Sequence, residues 1–299
     1  MGDSAAIAAI WPGPIRHIGG PVEADDVFPL ALPCLQVAEA GEIIPGSPSL
    51  DGARCALQAL EAATGLARSE GASALVTAPI SKAQLAQVGF THPGQTEFVA
   101  ERCGVARGNV VMMLAGPSLR VVPLTIHMPL AEVPEALTPA LIRNRTLATA
   151  RGLKRLFGIE RPRLVMAGLN PHAGEQGLLG DEEQRVIAPV IAQLREEGVN
   201  ITGPHAADAL FTPRARTTYD AALCCYHDQA LIPIKTLDFD QGVNITLGLP
   251  IVRTSPDHGT AFDLAGKDSA DPGAMIAAIR MAHQAELHRH AWVEPGSTS

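Results

Sequence analysis

An α/β fold is predicted by three observations. Short apolar runs end in Gly, Pro, Thr or Asn and pass into helical patterns, as in "SALVTAPISKAQLAQVG" (73–89), "PRLVMAGLNPHAG" (162–174) and "AALCCYHDQ" (221–229) with "ALIPIKTL" (230–237). Buried parallel strands read as continuous runs of this kind, and ligands collect where such strands end. Helical patterns recur between the runs, over 51–69, 81–88, 95–103, 138–157, 181–197 and 271–290. Finally, 299 residues with 46% hydrophobic content supply a core for one large domain or two ordinary ones.

The elements follow in order. The clearest helix is "TPALIRNRTLATARGLKRLFG": Thr138 caps it, Pro139 suits its first turn and Gly158 follows its last periodic residue. The 181–197 helix opens with Asp181, Glu182 and Glu183, charges that favour a helix N-terminus. A domain boundary is placed at "GFTHPGQ" (89–95), with a return crossing near 260–270. The division is then 1–92 with 265–299, and 93–264. Only the tail "EPGSTS" reads as frayed.

Composition excludes several functions. The net charge of −8 gives no basic stripe to neutralise nucleic-acid phosphates. The five cysteines, 34, 55, 103, 224 and 225, are odd in number, and the adjacent pair is poorly placed for a bridge, so a reducing cytoplasm is expected. The start "MGDSAAIAAIWPG" has no basic leader, and no apolar run is long enough to span a bilayer, so neither export nor membrane insertion is expected. No GxGxxG after a strand, GxxxxGK[ST] or GxSxG is present, which disfavours a standard Rossmann cofactor site, a P-loop and an α/β-hydrolase.

Three histidines share a strand-end context: His127 in "PLTIHMPL", His172 in "NPHAGEQG" and His227 in "CYHDQ". Three neutral imidazoles suit an open divalent-metal site, but on the residues alone a hydrogen-bonded loop or core imidazole is the commoner role of each, and spacing does not choose between these. Asp208 in "GPHAADALF" and Asp228 are carboxylates placed to orient such ligands. Lys235, Asn244 and Arg253 follow in a Gly- and Pro-rich segment. The two cations suit a phosphate or carboxylate, or are surface charges on snorkelling stems. Thr96 in "HPGQTEF" is either a helix cap or an anion contact at a helix start. Lys82 heads a helix, where a cation is either solvated or offset by an anionic ligand. "TSPDHGTAFDLAG" reads as a turn closing onto a helix, with Asp257 and His258 as turn residues.

Taken together, "TAPISK", "GQTEF", "LTIHMPL", "GLNPHAGE", "GPHAADALF", "YHDQALIPIK" and "GVNITLGLPIVRTSPDHGTAFDLAG" resemble the 4-hydroxythreonine-4-phosphate dehydrogenase family of pyridoxal phosphate biosynthesis, in family order over about residues 70–285. The resemblance implies two α/β/α domains with a cleft between them, like the isocitrate and isopropylmalate dehydrogenases. It implies a cytoplasmic homodimer, with His127, His172 and His227 as ligands of zinc, magnesium or cobalt, one of them contributed across the interface. Gln95, Thr96, Lys235, Asn244 and Arg253 match substrate-binding positions; Gln95 stands where many members carry histidine, which removes a titratable group. Lys235, Asp208 and Asp228 are the expected catalytic and supporting groups. About thirty residues of the family pattern, including a "GDPAGIGPE"-type loop, have no counterpart before Met1.

The implied activity is NAD- or NADP-linked oxidation and decarboxylation of 4-phosphohydroxy-L-threonine. Alternatives are a dehydrogenase of a phosphorylated sugar acid such as 4-phospho-D-erythronate or phospho-threonate, a three-histidine metallohydrolase, and a truncated, inactive metal-binding homodimer.

Overall fold

The apolar runs become strands: β1 Ile15–His17, β2 Leu32–Cys34, β3 Ala74–Val76, β4 Val111–Ala115, β5 Arg120–Pro123, β6 Leu164–Ala167, β7 Ile201–His205, β8 Ala221–Cys224, β9 Val243–Leu247 and β10 Val252–Pro256. The structure, a computed structural model, describes residues 1–292; the tail "EPGSTS" lies outside the described residues. The chain forms two compact units, 1–104 with 258–272, and 105–257 with 273–299.

In the first unit β1 and β2 pair in parallel, with Ile15 opposite Leu32. The Leu50–Arg68 helix is capped by the Ser49 hydroxyl, which accepts the Gly52 N–H at 3.0 Å. It packs against β3 and the helices Lys82–Ala86 and Gln95–Arg102. Arg102 also reaches Glu61 on that long helix, Nε to Oε1 2.8 Å. This packing is why the unit runs to Gly104, past the boundary predicted at 92.

In the second unit the strands run β10-β9-β4-β5-β8-β6-β7. The pairs β10/β9, β9/β4 and β4/β5 are antiparallel, whereas β5/β8, β8/β6 and β6/β7 are parallel. Every residue of β6 and β8 is buried, as a strand covered on both faces requires. Burying each of their larger side chains, Leu164, Val165 or Leu223, contributes about 1.5–3 kcal/mol. Because β5, β8, β6 and β7 are parallel neighbours, the loops that leave them emerge on one side of the sheet. His127, His227 and His172 follow three of these strands.

The predicted helix after Thr138 runs Pro139–Phe157: the Thr138 hydroxyl accepts the Leu141 N–H at 3.2 Å, and Gly158 ends it with φ +65°. A β-carbon on Gly158 would lie 2.7 Å from His288 Nδ1, so glycine also permits the C-terminal helix to approach. That helix, Gly273–Ala291, belongs with the second unit, whereas the sequence reading placed 265–299 with the first. Its buried Ala278, Ala282 and Ala285 allow close packing on β10 and on the Pro139–Phe157 helix, and Thr254 Oγ1 donates to the Ala278 carbonyl at 2.9 Å. No helix among the described residues is long and apolar enough to cross a membrane. All five cysteines are free.

Candidate functional site

After β5 the chain is tied to the end of β8. The Leu124 N–H donates to the Cys224 carbonyl at 2.8 Å, and the Thr125 N–H and hydroxyl both donate to the Cys225 carbonyl, at 3.3 and 2.8 Å. Two neighbouring loops are thereby held in register, and the His127 and His227 ring centroids lie 6.0 Å apart. His227 opens the His227–Asp238 helix, and its Nδ1 lies 2.7 Å from Asp228 Oδ1. A carboxylate on Nδ1 orients the ring and leaves Nε2 for a ligand, the arrangement typical of metal-bound histidine. Asp208 is exposed in the first turn of the Ala207–Leu210 helix, just beyond β7.

His172 sits in an unusual loop. His172, Ala173, Gly174, Glu175 and Gln176 have φ of 52°, 52°, 81°, 42° and 58°, a consecutive left-handed turn. Each non-glycine residue there costs about 1–2 kcal/mol, so neighbouring groups must hold the turn in place. The holding groups are acidic. Glu183 Oε1 accepts the Asn170 N–H at 2.7 Å, and the Asn170 carboxamide donates to Glu183 Oε2 at 3.0 Å and Glu182 Oε2 at 2.7 Å. Glu183 is only 3% exposed. The predicted 181–197 helix begins instead as a π-helical turn, Glu183–Ile187, before the Ala188–Glu196 α-helix. That wider turn accompanies a Glu183 side chain directed at the loop, a role beyond the helix-dipole charge read from sequence. A β-carbon at Gly174 would lie 2.7 Å from Glu183 Oε2, so this glycine is required by close approach as well as by its φ.

Among the described residues, no group of three or more His, Cys, Asp or Glu side chains is arranged to hold a metal ion. The His127 and His227 rings are close neighbours, and His172 forms no such group with them among the described residues. The pair, with Asp228 behind one imidazole, has donor chemistry that fits half of a divalent-metal site.

Lys235 lies eight residues beyond His227 on the same helix, about 12 Å along its axis. His227, Asp228, Leu231, Ile232, Lys235 and Thr236 line one open depression of about 360 Å³. The Lys235 ammonium lies 3.1 Å from Asp257 Oδ2 and donates to the Asp257 carbonyl at 3.3 Å. Sequence reading treated Asp257 as a turn residue, and nothing local in "SPDHG" signals this long-range pairing. Asn244 in β9 stands opposite Ser255 and Leu114, and its buried Oδ1 has no hydrogen-bond partner among the described residues. Arg253 is 3% exposed in β10, and its Nη1 donates to Thr246 Oγ1 at 3.2 Å, so it is not a snorkelling surface charge.

In the first unit Gln95 is buried, and its Nε2 donates to the Ala78 carbonyl at 3.0 Å, joining "TAPISK" to the helix start of "GQTEF". The cap of that helix is Gly94, not Thr96, which lies inside the first turn. Lys82 is the first residue of the short Lys82–Ala86 helix. The turn after Asp257 closes onto only a three-residue 3₁₀ turn, Phe262–Leu264, rather than a full helix.

The fold is an α/β scaffold in which two imidazoles lie beyond parallel strand ends and an amine follows on the helix that His227 opens, where ligands of such sheets collect. The chain belongs to the family of the pyridoxal phosphate biosynthetic protein PdxA, whose sequence model matches residues 6–282. It is 58% identical to the 4-hydroxythreonine-4-phosphate dehydrogenase of Zymomonas mobilis subsp. mobilis, over 98% of this chain and 88% of that protein. The Erythrobacter litoralis enzyme of the same name is 59% identical, over 96% of this chain and 85% of that one. Among solved structures, 4-hydroxythreonine-4-phosphate dehydrogenase from Klebsiella pneumoniae superposes with a TM-score of 0.85 at 34% identity, covering 95% of this chain and 88% of that one. A terephthalate 1,2-cis-dihydrodiol dehydrogenase from Burkholderia xenovorans gives 0.64 at 29% identity, covering 90% and 82%. The family resemblance read from the motifs is borne out.

Proposed function

We propose that this chain is a 4-hydroxythreonine-4-phosphate dehydrogenase, an oxidoreductase of pyridoxal phosphate biosynthesis. It removes a hydride from C3 of 4-phosphohydroxy-L-threonine to NAD or NADP, and the hydroxyl proton passes to solvent. The resulting 2-amino-3-oxo acid then loses carbon dioxide, the electron pair of the broken C–C bond passing into the adjacent ketone. Protonation of the enolate gives 3-amino-2-oxopropyl phosphate. The relatives' names support the reaction, and the observation that carries it is the His127–His227 pair with Lys235 along the same helix.

His127, His172 and His227 would hold a divalent metal, zinc, magnesium or cobalt, whose Lewis acidity lowers the pKa of a bound hydroxyl. Asp228 holds His227 in the tautomer and orientation a ligand requires, and Asp208, exposed just beyond β7, is assigned the second supporting carboxylate on the family resemblance alone. Within the second unit, Lys235 and Arg253 bind the substrate's anionic groups, with Asn244 hydrogen-bonding a polar atom. Asp257 keeps the Lys235 ammonium extended until a phosphate or carboxylate shares it.

The metal set is completed by a second copy of the chain. Apolar side chains exposed beside each histidine loop support this: Leu130 follows His127, Leu178 follows the His172 turn, and Ile232 lies in the helix that His227 opens, at 65%, 82% and 63% exposure. Five free cysteines suit a reducing cytoplasm.

A second reading, oxidation of 4-phospho-D-erythronate or phospho-threonate, rests on Gln95, where the family resemblance implies histidine in many members; its amide donates to the Ala78 carbonyl. An inactive binding form is not favoured, because the named enzymes match over 98% and 96% of this chain. Purified protein supplied with each substrate, NAD or NADP, and Zn²⁺, Mg²⁺ or Co²⁺ tests the assignment by the appearance of reduced nicotinamide. The proposal requires the highest kcat/KM with 4-phosphohydroxy-L-threonine; preference for a sugar acid transfers it to the second reading, and product without nicotinamide reduction restores the hydrolase.

A further inference from the structure

We infer that Glu183 is a positioning residue for His172: its buried carboxylate locks the left-handed turn that presents this imidazole. The inference rests on the metal-ligand reading of His172 for its consequence, but on geometry for its substance.

Six consecutive residues with positive φ, His172 to Gly177, four of them not glycine, do not persist without outside support. The turn lies between two anchors. At its entrance Asn170 gives both its N–H and its side-chain amide to Glu183, at 2.7 and 3.0 Å. At its centre Gly174 is buried so closely against the same carboxylate that a β-carbon would lie 2.7 Å from Oε2. A β-carbon on Gly168, at the end of β6, would lie 3.1 Å from Oε1. The two oxygens thus abut the strand end, the entrance and the middle of the turn. Burial of a carboxylate in this way is unfavourable unless its lone pairs are satisfied, and here Asn170 satisfies them. Glu182 takes the other hydrogen of the Asn170 amide, at 2.7 Å, so the asparagine cannot rotate without losing both bonds. The π-helical turn that starts at Glu183 widens the helix at this side chain. Such an arrangement matches the way groups behind metal ligands fix ligand orientation.

The test compares Glu183→Gln, Asn170→Ala and His172→Ala with the unaltered protein, by amide hydrogen exchange over residues 172–177 and by Co²⁺ titration followed through its visible absorption. Glu183→Gln keeps the side-chain volume but turns an acceptor into a donor facing Asn170. Exchange in the turn should rise at least tenfold while the β8 amides stay protected, and Co²⁺ affinity should fall about 10- to 100-fold. Asn170→Ala, which leaves the carboxylate in place, should show the same pattern more weakly. Unchanged exchange over 172–177 in folded Glu183→Gln overturns the inference; if that variant does not fold, unchanged exchange in Asn170→Ala overturns it. A merely structural role would lower Tm without moving Co²⁺ affinity or the exchange pattern, and so also counts against it. If His172→Ala binds Co²⁺ normally, the metal reading fails, whereas the positioning inference still stands or falls on exchange in the turn.

Discussion

Gln229 joins the ends of two strands that carry different histidines: its Oε1 accepts the Cys225 N–H at 2.7 Å, and its Nε2 donates to the Gly168 carbonyl at 2.8 Å. One carboxamide therefore sets the spacing between the β8 end, which leads to His227, and the β6 end, which leads to His172. Replacing it with glutamate puts a carboxylate oxygen against the Gly168 carbonyl and removes a donor. Gln229→Glu is expected to cost about 1–3 kcal/mol in stability and to weaken Zn²⁺ binding. Denaturant unfolding and metal titration check this, and a variant that matches the parent in both would show that the bridge has no such role.

If two copies complete each metal site, inactive variants should rescue one another. His172→Ala and His227→Ala should each be inactive as purified. Mixed after partial unfolding and refolding, they should recover about a quarter of parental activity, because half the dimers are mixed and each mixed dimer contains one intact site. No recovery from a mixture shown to contain heterodimer would mean that each chain uses its own histidines.

Lys235 and Asp257 form a further test of anion binding. Lys235→Ala should raise KM for the phosphorylated substrate at least tenfold and change Tm little, because a half-buried ion pair still open to solvent adds only about 0–1 kcal/mol. Asp257→Asn should raise KM less, since the ammonium remains but loses its guide. Equal KM values in all three proteins would remove Lys235 from the substrate site.

At the opposite ends of β6 and β8, Asp220 accepts the Arg163 backbone N–H at 2.7 Å and its Nη2 at 2.8 Å. Burial raises the Asp220 carboxyl, but the Arg163 bonds outweigh it and hold the group below its ordinary value of 3.8. A lowered folded-state pKa means that this stabilisation is present above the ordinary value and is lost as pH falls through the folded value. Asp220→Asn should thus lower Tm by several degrees near neutrality, and the difference should shrink as pH falls below the ordinary value of 3.8. A pH-independent difference in Tm would count against this ion pair.

Burial pushes the Cys224 and Cys225 thiols well above the usual range. They should resist a thiol reagent such as DTNB in the native state and react fully in guanidinium. Rapid native labelling at either, located by mass spectrometry, would contradict their burial in β8 and directly beyond it.

The sequence by itself determined the α/β class, the Pro139–Phe157 helix with its Thr138 cap and Gly158 stop, and the strand-end context of His127, His172 and His227. Those features are local: periodicity, capping chemistry and motif order lie within a few residues of one another. Tertiary structure alone decided the rest. It paired Lys235 with Asp257, bridged Cys225 and Gly168 through Gln229, turned Glu183 toward Asn170, and assigned the C-terminal helix to the second unit. Each of these depends on which strands become neighbours in the sheet, or on a close approach permitted by Gly158 or Gly174. Strand order and close approach are long-range packing outcomes that no window of sequence contains.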